Sequence, residues 1–258
     1  MAHLKRYSMP KIWRISRKKH VWIGRPMPGP HPRNNCITLQ VLIRDILKYA
    51  ETRKEAKKII SEGKVLVDKR VIRNLNFPVG LMDVIEIPET KEYFRMIVDR
   101  RGLSLEKIQA INADKKLCRI NGKATLKKGK QQLNLHDGRN ILTDKKSPYR
   151  VGDSVAIALP GQEIIKHYKL EKGSPAFIFA GKNIGIEGKI KDIRTRKNML
   201  ETSTAILSTK DKEIETLKDY VFPGELSLKG LPQVAKKKAD RPGSADKAGK
   251  RALQKVKK

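Results

Sequence analysis

The stretch Thr52-Arg53-Lys54-Glu55-Ala56-Lys57-Lys58-Ile59-Ile60-Ser61-Glu62-Gly63-Lys64-Val65-Leu66-Val67-Asp68 decides how this chain folds. Thr52 with Glu55 three residues on is a capping-box pattern, which nucleates a helix. Ala56, Ile59 and Ile60 supply the buried side of that helix, and Gly63 is placed to end it. Val65 and Val67 then alternate as a short strand, Asp68-Lys69-Arg70 turns, and Val71 returns. Upstream, Leu39, Leu42, Ile43, Ile46, Leu47 and Ala50 recur at helical spacing and form one apolar face, so another helix comes first. Downstream, Val84-Ile85-Glu86-Ile87 is a further strand closed by Pro88. Residues 38–88 therefore predict a compact helix–helix–hairpin module.

The charges on the second helix point outward from that fold. At about 100° per residue, Arg53, Lys57, Lys54 and Lys58 cover one continuous flank, while Glu55 and Glu62 lie on the other. Arg53/Lys57 and Lys54/Lys58 are like-charge i,i+4 pairs, each destabilising by a few tenths of a kcal/mol. A helix shaped only for stability would more often alternate Glu and Lys. Between a solvated basic face and a phosphate-contacting one, the pattern favours the second, continued into the hairpin by Lys64, Lys69 and Arg70.

The whole chain has the same bias. Its 258 residues hold 58 Lys and Arg against 27 Asp and Glu, a formal charge of +31. Such a charge repels itself in the free state, and the commonest compensation is a polyanion, above all nucleic acid. The hydrophobic fraction of 38% suits small modules better than one large core. No apolar run approaches the roughly 20 residues of a membrane span, and no apolar segment follows the basic start as in a secretory signal. Cys36 and Cys118 form neither a CxxC nor a Cys/His cluster, so neither a disulfide framework nor a metal site is expected.

The charge is concentrated at the ends. Residues 1–44 hold ten basic residues and no acidic one, and residues 226–258 hold eleven basic and two acidic. Residues 1–37 read as an extended basic arm with Lys5, Arg6, Lys11, Arg14, Arg17, Lys18 and Lys19 as phosphate contacts. Trp13 and Trp22, interleaved with them, would stack or plug a hydrophobic seam, and aromatics are rare in a purely solvating tail. Pro26, Pro28, Pro30 and Pro32 keep the next stretch from being helix. Residues 226–258, with Lys236-Lys237-Lys238 and Lys250-Arg251, read as a basic disordered tail.

Read in this order, the run 52–68 resembles the S4-type RNA-binding domain, whose second helix and following hairpin grip folded RNA. The likeness extends further. His3-Leu4-Lys5-Arg6, Pro28-Gly29-Pro30-His31-Pro32, Phe77-Pro78-Val79-Gly80-Leu81-Met82-Asp83-Val84-Ile85 and Leu133-Asn134-Leu135-His136-Asp137-Gly138-Arg139-Asn140 are similar to the S-four-e family of archaeal and eukaryotic small-subunit ribosomal proteins. The resemblance covers about residues 3–225.

Residues 89–172 read as a central β domain. Asn121-Gly122 signals a type I′ hairpin between strands at 116–120 and 123–126. Leu133 and Leu135 alternate before an Asp137-Gly138 turn, and a strand over 155–159 precedes a turn at Pro160-Gly161. His136, Asp137 and Arg139 could pass for a catalytic cluster, but a turn that aims His136 and Arg139 at phosphate is the better reading. Residues 173–225 resemble a KOW-type small β-barrel, on the stretch Gly181-Lys182-Asn183-Ile184-Gly185-Ile186-Glu187-Gly188-Lys189. Lys182, Asn183 and Lys189 are its candidate RNA contacts. Ile186 and Glu187 stand where the KOW pattern often has a basic residue. The P-loop spacing is absent. Strands over 199–207 and 213–222 complete it.

The expected fold class is α+β, mostly β, with three modules between two basic arms. The implied function is that of a structural constituent of the small ribosomal subunit in the cytoplasm, bound to ribosomal RNA and neighbouring ribosomal proteins. No cofactor, metal, small-molecule substrate, membrane or homo-oligomer is expected. An RNA-modifying enzyme of the pseudouridine-synthase type, which can contain an S4-type domain, is the alternative. It would need a separate catalytic domain, and the five histidines are scattered with no nucleophile or paired-carboxylate motif. A transcription factor with a KOW barrel is a third reading, without an obvious polymerase-binding domain.

Overall fold

A computed structural model describes residues 3–144, 147–196, 198, 200–209 and 212–226. It is α+β and mostly β. In the N-terminal segment, β1 (Leu4–Lys5) and β2 (Trp22–Ile23) form a two-stranded antiparallel ribbon. β3 (Cys36–Thr38) leads into α1 (Leu39–Val41), which continues as a π-helical stretch over Leu42–Ile46. Next come α2 (Arg53–Ser61) and the hairpin of β4 (Leu66–Val67) and β5 (Arg70–Val71). Asp68 and Lys69 between these strands have φ of 50° and 65°, the two left-handed positions of a type I′ turn. β6 (Pro78–Gly80) pairs back on β3. β7 (Val84–Ile87), β8 (Glu92–Asp99) and β9 (Gly102–Ile108) then complete a sheet of order β5-β4-β7-β8-β9.

The central unit begins with α3 (Ala110–Ala113) and β10 (Lys115–Thr125), followed by β11 (Gln131–Leu135), β12 (Asn140–Thr143), β13 (Ser154–Ala158) and β14 (Ile164–Tyr168). Its sheet has the order β12-β11-β10-β13-β14. The last unit contains β15 (Pro175–Ile178), β16 (Glu187–Arg194), β17 (Thr204–Ser208), β18 (Glu213–Leu217) and β19 (Val221–Pro223), in the order β18-β17-β16-β15-β19. No helix among the described residues is long and apolar enough to cross a membrane.

Four sequence expectations change on this framework. First, Asn121-Gly122 is not a hairpin turn. Both residues lie inside the single strand β10, at a bulge between Ile120 and Gly122. There β10 stops pairing with β13 and begins pairing with β11. A glycine inside a strand often marks a bulge, and the dipeptide alone does not distinguish the two. Second, the boundary at residue 88 runs through a continuous sheet, because β7 pairs with β8 over four residues. Third, the strand expected from residue 199 starts at Thr204.

Fourth, residues 3–37 do not stand out as an arm. Leu4, Met9, Trp13 and Ile23 are buried in one core with α1, α2, β4, β7 and β8. The Trp13 indole N–H donates to the Cys36 carbonyl at 2.6 Å, and the Leu103 N–H donates to the Ile12 carbonyl at 3.0 Å. Enough apolar surface is buried to hold a segment that composition alone marks as a tail. At the other end, the predicted tail 226–258 lies outside the described residues apart from Leu226.

The three units share a core. Leu81, Met82 and Val98 meet Leu117 and Ala156 of the central sheet and Phe177, Phe222 and Leu226 of the last unit. Phe177 and Phe222 stack with ring centroids 4.8 Å apart. This seam fixes the orientation of the S4-like module relative to the rest.

Candidate nucleic-acid interface

α2 starts at the expected cap. The Glu55 N–H donates to Thr52 Oγ1 at 3.3 Å, and the Thr52 hydroxyl donates to Glu55 Oε1 at 2.8 Å. The Glu51 N–H adds a bond to Glu55 Oε2 at 2.9 Å. The donors on Glu51 and Thr52 hold the Glu55 carboxyl below its ordinary range. At the other end, Glu62 pairs with Lys64 at 3.1 Å, and Lys64 also reaches Glu89 at 3.2 Å. Both acids of the helix are thus occupied at its ends. Arg53, Lys54, Lys57 and Lys58 are exposed and form no ion pair with another described residue. Ala56 and Ile60 are buried beneath them, while Ile59 is only half-buried.

Arg70 and Arg73 extend this surface. Both are exposed, and a Cβ added to Gly63 would lie 3.7 Å from Arg73 Nε, so Arg73 sits beside the C-terminal end of α2. Sequence reading misses Arg73 because it lies in the loop after the hairpin, outside any periodic element. Its only signal is closeness in sequence to Arg70.

Other predicted contacts separate into two groups. Lys5, Lys11, Lys18, Lys19, Lys182 and Lys189 are exposed, and Asn183 is half-buried. Arg6, by contrast, is 1% exposed, with Nε donating to the Ser16 carbonyl at 2.5 Å and Nη2 3.9 Å from Asp45. Arg14, though exposed, donates to Ser104 Oγ at 2.9 Å and pairs with Asp99 at 3.5 Å, and Arg17 donates to the Tyr7 carbonyl at 2.9 Å. These three arginines tie the N-terminal segment to itself and to β8, β9 and the π-helical stretch.

Lys69, His136 and Arg139 turn inward. Lys69 lies between Asp114 at 2.7 Å and Glu86 at 2.9 Å. Burial lowers its pKa, yet hydrogen bonds to those two carboxylates raise it overall. Arg139 holds Asp68 at 2.8 Å and Asp137 at 3.2 Å. At their centre Lys116, 1% exposed, meets Asp68 at 2.7 Å, Asp83 at 2.6 Å and Asp137 at 2.8 Å. His31 contacts Asp83 at 3.0 Å. This buried network joins the N-terminal segment, the S4-like module and the central sheet.

Its titration follows from that geometry. Burial would raise Asp83, but His31 and Lys116 beside it hold its carboxyl far below the usual range. Asp137 is lowered to about 2, with Lys116 overcoming burial. For Asp68, burial prevails and the pKa rises. Lys116 is raised well above its ordinary value, its three carboxylates outweighing desolvation. His136 is pushed down to about 4 by burial and by Lys116. A neutral ring fits its bonds: Nδ1 accepts from the Arg119 N–H at 3.2 Å and Nε2 donates to the Leu81 carbonyl at 3.1 Å.

Cys118, His136 and Asp137 place a thiol, an imidazole and a carboxylate within 4.8 Å of one another. They do not fit a metal. Both histidine nitrogens are engaged, the Lys116 ammonium already contacts Asp137 Oδ2, and burial pushes the Cys118 thiol well above its ordinary value. A thiol that stays protonated is a poor ligand and a poor nucleophile. Cys36 is likewise raised to about 12 by burial and by Asp83.

The glycine loop of the last unit is held by protein. Gly185 has φ of +78°, and a Cβ there would lie 2.6 Å from the Asp99 carbonyl carbon and 2.7 Å from the Arg100 nitrogen. Its backbone packs on the β8–β9 turn. Lys182 stays exposed at the same loop.

A basic flank on a helix–helix–hairpin module, braced by a buried ionic network, has the form of an S4-type nucleic-acid-binding domain. The comparisons with known proteins agree. Residues 38–85 match the S4 domain, residues 2–34 the RS4NT (NUC023) domain, and residues 90–164 the ribosomal family S4e. The small ribosomal subunit protein eS4 of Methanothermobacter thermautotrophicus is 45% identical over 221 residues, covering 85% of this chain and 90% of that protein. The eS4 protein of Methanocaldococcus jannaschii is 42% identical over 228 residues, covering 85% and 92%. The crystal structure of the 30S ribosomal protein S4e from Thermoplasma acidophilum superposes with a TM-score of 0.64 at 33% identity, over 73% of this chain and 94% of that one. The chain belongs to the ribosomal protein family S4e.

Proposed function

We propose that the α2 flank and the residues beyond the β4–β5 hairpin seat this protein on ribosomal RNA. As a member of the S4e family the chain is a ribosomal structural protein of the small subunit rather than an enzyme. The observation that bears most on where it holds RNA is the set Arg53, Lys54, Lys57, Lys58, Arg70 and Arg73, exposed and without ion-pair partners among the described residues. Like-charge pairs on one helix cost stability unless a polyanion meets them. Phosphate contacts of this kind set position on RNA shape rather than base sequence. Lys5, Lys11, Lys18 and Lys19 supply a second set on the N-terminal segment, and Lys182 and Lys189 a third on the last unit. Lys69, His136 and Arg139 act from the interior by orienting the modules. Ribosomal proteins next to it are its other partners, and the cytoplasm is its place of work.

Crosslinking in intact small subunits with peptide mapping tests this reading. Crosslinks to ribosomal RNA are expected from peptides spanning 53–73. Crosslinks confined to other surfaces, with none from 53–73, would overturn it.

A further inference from the structure

A large groove among the described residues lies between the proline-rich segment and the S4-like module, and the RNA-binding reading above uses only Arg53 of its lining. Its volume is about 1160 Å³. That is just above the upper end of the roughly 300–1,000 Å³ of a small-molecule site and leaves room for a short polymer segment. The groove's lining includes Trp22, 55% exposed, with the His3 ring tilted against it at a centroid distance of 5.4 Å, and Met27, 37% exposed. The lining also includes Arg33 and Arg53, both exposed. Gln40 lines the groove at 2% exposure, and its amide oxygen accepts no hydrogen bond from another described residue.

We infer that this groove takes unstacked, single-stranded nucleotides of RNA, with a base on Trp22 and phosphates on Arg33 and Arg53. The inference rests on the RNA-binding reading and deepens it. A duplex keeps its base faces stacked internally and offers an aromatic side chain nothing to stack on, whereas splayed bases bind aromatic platforms. The cationic lining selects a polyanion, in keeping with a chain of net charge +31. Arg53 belongs both to the groove and to the basic flank of α2, so one RNA can pass from duplex contact on the helix to single-strand contact beside Trp22.

The test titrates the full chain with a short single-stranded oligoadenylate and, separately, with a blunt RNA duplex. It compares wild type, Trp22→Ala, Trp22→Phe and a variant with Arg53, Lys54, Lys57 and Lys58 changed to Gln. The oligoadenylate should quench tryptophan emission in the wild type. Trp22→Ala should weaken its binding roughly tenfold, Trp22→Phe should retain most of it, and neither should alter duplex affinity. Trp22 is exposed, and equal thermal melting of the variants would show that the fold is kept. Equal oligoadenylate affinity for wild type and Trp22→Ala would overturn the inference and leave the groove to a protein neighbour. If duplex affinity still drops in the Gln variant, only the groove assignment has failed. If duplex affinity is unchanged in that variant too, the α2 reading has failed with it.

Discussion

Lys116 shows how much of this protein's architecture rests on single ionisable side chains. A buried ammonium among three carboxylates is stable only while each charge is compensated. Replacing it as Lys116→Met should cost about 3–5 kcal/mol of unfolding free energy, read from urea denaturation at neutral pH. The acid response has a definite sign. Asp83 and Asp137 are depressed, so their stabilisation is full above the unfolded carboxyl pKa of about 4. It is lost as pH falls through the folded values, about 2 for Asp137. Asp68 is raised and acts oppositely, its burial cost easing as it protonates. Wild type should therefore keep its near-ultraviolet circular dichroism to about pH 3, and Lys116→Met should lose it at higher pH because the cation depressing both acids is gone. An unmoved acid midpoint would show that Lys116 does not govern them. Little of this is legible in the sequence. Asp137-Gly138 announces a turn, but nothing local says that Arg139 reaches Asp68, 71 positions away, so from sequence His136 and Arg139 pass for phosphate contacts.

At the scale of elements, legibility follows the range of the interactions. α2 can be read from Thr52, Glu55, Ala56, Ile60 and Gly63 because caps and helical faces are local. The bulge at Gly122 cannot, since whether Asn-Gly turns or bulges depends on partner strands more than ten residues away. Thr52→Ala should destabilise the protein by about 1 kcal/mol, seen as a lower urea midpoint with an unchanged slope. A midpoint at the wild-type value would remove the cap from the account. Gly185 tests a different part of the packing. A side chain there meets both a left-handed backbone and the Asp99–Arg100 backbone, so Gly185→Ala should cost roughly 1–3 kcal/mol. If the glycine serves phosphate approach instead, the variant should melt like the wild type and lose RNA affinity.

At the scale of the whole molecule, the shared core of Leu81, Leu117, Phe177 and Phe222 makes the three units one rigid support for the basic surface. The N-terminal segment is part of that support. Composition hides this, because the apolar residues Leu4, Met9, Trp13 and Ile23 are sparse and follow no helical or strand period. In the free protein, limited proteolysis should leave residues 3–37 attached, and Trp13→Ala, costing about 3–5 kcal/mol, should release them. Rapid loss of this segment from the wild type would mean it behaves as a free arm. The central claim is that α2 meets phosphate, and the salt dependence of RNA binding tests it most directly. Affinity for a small-subunit ribosomal RNA fragment should be measured across salt for wild type and for the variant with Arg53, Lys54, Lys57 and Lys58 changed to Gln. The account predicts weaker binding and a log–log slope flatter by up to about 0.7–0.9 for each phosphate that the variant no longer neutralises; an unchanged slope would show that the flank faces only solvent.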